Sequence, residues 1–206
     1  GSHGEPIQAA VALGRRDVVE FFLDKEVDPN MMVWQTYTAY GTPLMTASAH
    51  GQTEIIELLL ERGAEVNAIW SMPRLHLGRW RFNAIGPALE EASGNGHPET
   101  VKLLLSYGTD LSFPLRGEDF RFALWRAVAE GHEEIVRLLL NIGADPNSSD
   151  ETQMPALYAA IIVGSEKIVQ LLLDAGADIH ARFRGESALS AAAAGNHLEV
   201  VESILD

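Results

Sequence analysis

Within Gly41–Ala68 the apolar residues fall into two short helical patterns separated by a polar break. Thr42-Pro43 opens the first, because a hydroxyl caps free amides and proline suits the first helical position, where its missing N–H is not needed. This spacing predicts a helix to His50, a break at Gly51, and a second helix over Thr53 to Arg62. In the second, Ile55, Ile56, Leu58, Leu59 and Leu60 gather on one face, Glu54 lies near the positive end, and Gly63 can take the left-handed position after the last turn. Such a helix-turn-helix pair cannot bury its own apolar face and needs copies of itself on either side.

The copies are present. Aligned on the helix-breaking residue, the chain reads Gly14, Gly51, Gly96, Gly131, Gly164 and Asn196, in steps of 37, 45, 35, 33 and 32 residues. Asparagine is the alternative left-handed residue. A short Ala-rich segment precedes each break, as in PLMTASAH, ALWRAVAE and ALSAAAAG, and its small side chains let neighbouring inner helices approach closely. A longer helix follows, as in EIIELLLE, EIVRLLLN and KIVQLLLD. A repeat of this length points to an array of stacked helix pairs.

On these residues the chain resembles the ankyrin-repeat family. The family's T-P-L signature is kept at Thr42-Pro43-Leu44, and its stretch from Gly-His to Gly-Ala-Asp at Gly131-His132 through Gly143-Ala144-Asp145. The latter recurs from Gly164 through Gly176-Ala177-Asp178. The resemblance covers about residues 5–206. It implies an all-α solenoid of stacked helix-turn-helix pairs with β-turn or hairpin fingers, in a single domain of about six repeats. Residues 1–4 are set apart, Gly1-Ser2-His3 reading as a tag remnant. The last repeat stops inside its second helix, either as a cap or as a cut from something longer. Ser203, standing where other repeats carry Leu or Phe and read as facing the next repeat, favours the cap.

The departures from the repeat are informative. Glu26 takes the place of the left-handed glycine, at a cost of about 1 kcal/mol if that conformation is retained. The first step is lengthened by MMVWQTYTAYG. The second carries a long insertion, residues 69–85, IWSMPRLHLGRWRFNAI, with Arg74, Arg79, Arg81 and His76 and no acidic residue. It reads as an enlarged finger.

Composition narrows the function. With 206 residues, 47% of them hydrophobic and 21% charged, the chain has the make-up of an ordinary soluble protein. Its net charge of -14 argues against sequence-independent binding to nucleic acid or anionic membrane. No apolar run approaches the roughly 20 residues of a membrane span. There are no cysteines, hence neither a disulfide framework nor a thiol nucleophile, which is compatible with a reducing, cytoplasmic or nuclear setting.

In the family resembled, partners are gripped by the concave side, made of finger tips and inner helices. By register, the place after the inner-helix Leu holds Gln8, Met45, Glu90, Trp125, Tyr158 and Ser190. The next holds Ala9, Thr46, Glu91, Arg126, Ala159 and Ala191. The candidate binding residues are therefore Glu90, Glu91, Trp125, Arg126 and Tyr158, together with Trp70, Arg74, His76, Arg79, Trp80 and Arg81 of the finger. Glu118, Asp119 and Arg121 precede the fourth inner helix. Arg and Trp are enriched at binding hot spots, and Arg matches carboxylates bidentately. The bland reading is that Glu90 or Glu91 pairs with Arg126 or a finger arginine and merely clamps the insertion.

The leading expectation is thus a monomeric, non-catalytic binding module for a protein or peptide with an acidic or aromatic segment. No cofactor, metal, nucleic acid or membrane is expected. The alternative is a small-molecule pocket under the finger, with Glu90 or Glu91 as acid–base and Arg126 or Arg81 as anion clamp. A third reading is a piece of a larger signalling or defence protein. His97, His132 and His197 follow the break, where the family places a structural His bonding to nearby backbone, and no histidine pair has zinc-site spacing. Asn67 and Asn147 resemble turn asparagines that the family can present for hydroxylation. Their bland role is to bond their own turn backbone.

Overall fold

A computed structural model describes residues 4–36, 39–68, 88–108, 122–149 and 152–205. The finger 69–85 lies outside them. Twelve helices occupy the described residues, and the chain divides into two compact units.

The first unit comprises Gly1–Ala92 and Glu99–Asp110. It begins with α1 (Gly4–Ala12) and α2 (Arg16–Asp24), followed by an antiparallel hairpin of β1 (Val33–Thr36) and β2 (Ala39–Gly41). Then come α3 (Pro43–Ala49), α4 (Thr53–Glu61), most of α5 (Ala88–Gly94) and α6 (Pro98–Ser106). The inner helices α1 and α3 pack on each other, as do the outer helices α2 and α4. Ile7, Leu44, Ile56 and Leu59 are fully buried between them, each side chain stabilising by about 1.5–3 kcal/mol. The start of α3 is built as its sequence predicts, with the Met45 amide donating to Thr42 Oγ1 at 3.3 Å and proline in the first turn.

The second unit comprises Ser93–Pro98 and Leu111–Asp206. Its helix pairs are α7 (Phe122–Ala129) with α8 (Glu133–Asn141), α9 (Ala156–Val163) with α10 (Glu166–Asp174), and α11 (Ala188–Ala194) with α12 (Leu198–Leu205). The short hairpin of β3 (Arg182–Phe183) and β4 (Glu186–Ser187) precedes α11. Inner helices α7, α9 and α11 pack in succession, and outer helices α8, α10 and α12 do likewise. The alanines make this possible: Ala127, Ala156, Ala160, Ala188 and Ala192 are fully buried where inner helices meet.

All six break residues have positive φ, from 60° at Asn196 to 78° at Gly131. Glu26 keeps the left-handed geometry of the glycine it replaces, at φ 61°. The turns after the outer helices are joined by a staple. Asn30 Nδ2 donates to the Gly63 carbonyl at 3.0 Å while its Oδ1 accepts the Glu65 amide at 2.7 Å. Asn147 does the same one turn from the end, to Gly176 at 3.4 Å and from Asp178 at 2.7 Å. Asn67 reaches Gly108 at 3.4 Å. Asn147 therefore reaches the following turn, whereas the sequence expectation had it bond its own. The local turn is closed by aspartate instead: Asp28, Asp145 and Asp178 each accept the amide two residues on. Carboxylates two residues upstream do the Asx-turn work, which leaves the asparagine amide, both donor and acceptor, to cross the gap.

Ser203 also needs correction. Its equivalents Leu58 and Phe21 show which way it points: Leu58 is buried in the second helix pair, whereas Phe21 in the first pair is exposed. The place faces the preceding pair. Ser203 donates to the Glu199 carbonyl at 2.9 Å, and the outward place on α12 is held by Leu205, which is exposed.

Candidate functional site

The row after the inner-helix Leu is less open than its register implies. Gln8, Met45, Glu90 and Tyr158 are buried, Trp125 is half-buried and only Ser190, in α11, is exposed. The physical reason is that this place lies beneath the finger leading into the next helix pair, and three of its side chains donate to that finger. Gln8 Nε2 bonds the Gly41 carbonyl at 2.7 Å, Trp125 Nε1 the Met154 carbonyl at 2.9 Å, and Tyr158 Oη a carboxylate oxygen of Glu186 at 2.7 Å. The polar ends of Trp125 and Tyr158 are thus committed to holding fingers in place. Each bond ties a loop to a rigid helix, which pre-sets the finger for contact with something else.

The next place is where charge reaches the surface. Glu91 and Arg126 are half-buried. The Arg126 guanidinium lies flat on Gly94 in the second unit: a Cβ at Gly94 would sit 2.5 Å from Nε and 2.9 Å from both Cζ and Nη2. A side chain at this place would have to displace the guanidinium that covers the Gly94 backbone. Trp70, Arg74, His76, Arg79, Trp80 and Arg81 lie outside the described residues, as do Glu118, Asp119 and Arg121.

The hairpin β3–β4 adds residues that register alone does not single out. The Phe183 ring stands 5.5 Å from that of Tyr158, tilted by 56°, and Arg184 Cζ lies 5.1 Å from the Phe183 centroid. Arg184 and Gly185 form the two-residue turn with φ of 52° and 87°, both left-handed, the geometry that suits a tight hairpin. Arg182 Nη1 donates to the Gly185 carbonyl at 3.1 Å. The result is a stack of Arg184, Phe183 and Tyr158 with two guanidinium groups exposed at its tip. The signal available in sequence is Gly185 at the second turn place. The hydrogen bond to Glu186 pushes the Tyr158 phenol above its ordinary value of 10, with burial and the Glu186 charge acting in the same direction.

The histidines serve the backbone where their bonds are seen. His132 Nε2 is 3.2 Å from the Gly94 carbonyl, and His50 Nδ1 is 2.8 Å from the Thr46 carbonyl. The His197 ring rests against Gly164. Among the described residues no three His, Asp or Glu side chains are grouped so as to hold a metal ion. No helix among them is long and apolar enough to cross a membrane. An open hollow lies on the outer helices α2 and α4, lined by Arg16, Glu54, Glu57, Leu58 and Glu61, on the opposite row from the candidate site.

The family profile described as ankyrin repeats, in three copies, matches residues 2–69, 89–183 and 124–206. No curated protein matches the chain at a significant level.

Proposed function

The chain belongs to the ankyrin-repeat family, whose repeats are generally protein–protein interaction modules and typically non-catalytic, and on that premise we propose that it binds a protein segment through its fingers and the adjoining inner-helix side chains. The expected all-α fold of stacked helix pairs is the one observed. In the first unit the recognition residues are those of the finger 69–85, Trp70, Arg74, His76, Arg79, Trp80 and Arg81, together with the half-buried Glu91 and the buried Glu90; in the second unit they begin with Arg126. To these the β3–β4 tip contributes Arg182 and Arg184. Trp125 and Tyr158 act from beneath, as anchors. The partner segment is acidic or aromatic, because exposed guanidinium groups and aromatic faces complement carboxylates and rings.

The observation that carries this reading is the anchoring of fingers to inner helices by Gln8, Trp125 and Tyr158. Binding to a pre-set loop avoids much of the ordering cost that a free loop incurs. The test is photo-crosslinking from a reactive amino acid placed at Arg79 or Arg184, followed by identification of the captured chain. One partner should recur at both positions, and its capture should fall at least tenfold in Arg182→Ala/Arg184→Ala or Arg79→Ala/Arg81→Ala variants with unchanged melting temperature. Capture indifferent to all four substitutions sinks the proposal.

A further inference from the structure

Ile162 breaks the pattern of the inner helices. At its place the other five carry Ala12, Ala49, Gly94, Ala129 and Ala194, so a large side chain stands where the array otherwise keeps a small one. It is 61% exposed, and Val163 beside it is 46% exposed. α9 is packed by α7 on one flank and by α11 on the other, so this is the exposure of an open face and not of an unpaired flank. The neighbours by register are small: Ala129 of α7 and Ala191 of α11 are half-buried, and Ala194 is exposed. The two aliphatic side chains therefore rise from a floor of alanine.

Tyr158 connects this apolar spot to the β3–β4 tip. Tyr158 and Ile162 are four residues apart on α9 and share a face, one turn or about 5.4 Å along the helix. The Tyr158 ring meets that of Phe183 at 5.5 Å, and Arg184 Cζ lies 5.1 Å from the Phe183 centroid. A short extended segment reaches from the guanidinium groups of Arg182 and Arg184 to Ile162. Charge sets its direction. The tip presents two exposed arginines, and the hairpin's own carboxylate, Glu186, is engaged by Tyr158. On α7 the place of Val163 is held by the exposed Glu130. An acidic residue is thus attracted at the tip and repelled beside the alanine floor.

Resting on the binding role proposed above, we propose that the second unit holds a two-point site for an extended protein segment. An acidic residue of that segment pairs with Arg182 and Arg184. A few residues away, a bulky aliphatic or aromatic side chain seats on Ile162 and Val163, between Ala129 and Ala194. The apolar contact removes the exposed patch from water, and the ion pairs fix the register of the segment.

Selection of short random peptides, displayed on phage, against the 206-residue chain tests this. Enriched sequences should share Asp or Glu and, a few residues away, Leu, Ile, Met, Phe or Trp. The most enriched peptide, labelled with a fluorophore, should bind at least fivefold more weakly by anisotropy to Ile162→Ala, and likewise to Arg182→Ala/Arg184→Ala. Alanine is what most inner helices carry at the place of Ile162, so the melting temperature of Ile162→Ala should match the parent's. Replacing the peptide's apolar anchor by alanine should weaken binding to the parent and cost little further in Ile162→Ala, as expected of side chains that touch. Peptides held by the arginines but indifferent to Ile162→Ala overturn the two-point site and leave the binding role standing. Selection that enriches nothing also overturns the site, while cross-linking from Arg79 still decides the binding role. Self-association abolished by Ile162→Ala would overturn it too, by assigning the face to a second copy of the chain.

Discussion

Tyr158 shows how one side chain connects packing to presentation. Its ring meets Phe183, its hydroxyl meets Glu186, and through both it fixes the β3–β4 tip on α9. Tyr158→Phe keeps the ring contact and removes the donor, so it should cost about 1–2 kcal/mol in urea unfolding. Its titration has a definite sign. The phenol is held above 10 in the folded state, so the stability it contributes is complete below the unfolded value and is lost as pH rises through the folded one. Absorbance titration near 295 nm should show a tyrosine ionising later in the native chain than in denaturant, and Glu186→Gln should bring it back towards 10. At Glu26 the chain keeps a left-handed backbone with an L side chain. Glu26→Gly should raise stability by about 1 kcal/mol, read as a higher denaturation midpoint with an unchanged slope.

At the scale of elements, the asparagine staples and the outer-helix charges decide how neighbouring pairs hold together. Asn147→Ala removes two bonds to the following turn and should destabilise by about 1 kcal/mol. Hydrogen exchange should then speed up around Gly176 and Asp178, where its partners lie. On α10 and α12, Glu199 is held above the usual carboxylate value of 4.5 by a carboxyl hydrogen bond with Glu166 and by the repulsion of its charge. The folded state therefore binds this proton more tightly than the unfolded state, and the stability so gained is lost as pH rises through the folded value, above 4.5. Glu199→Gln should flatten the dependence of melting temperature on pH in that window. A variant whose pH profile superimposes on the parent's would show that the two carboxyls do not share a proton.

At the scale of the molecule, stability in an array of pairs is mainly a sum of nearest-neighbour contacts, with no central core shared by all. Leu59→Ala, at a fully buried place in the first unit, should cost about 2–5 kcal/mol. Exchange protection should fall first in α1 to α4 and least in α9 to α12. Uniform loss along the chain would mean that the array unfolds as one block.

The period of the breaks, the helix starts at proline and the Leu-rich outer helices were legible in the residues, because each is a local consequence of backbone geometry repeated six times. The place of Glu26 was legible too, but whether it would keep the left-handed conformation was open in the sequence and is decided by the fold, at φ 61°. Direction was not legible. Register placed Trp125 and Tyr158 on an open face, Ser203 towards the next pair and Asn147 over its own turn. Packing decided otherwise in each case, because the neighbour that covers a side chain or accepts its bond lies some thirty residues away. Charge at the inner-helix surface was written in the sequence, whereas the flat seat of Arg126 on Gly94 and the stack of Arg184, Phe183 and Tyr158 exist only once distant segments meet. A repeated sequence determines which elements form and in what order, and contact between copies determines which side chains are left for a partner.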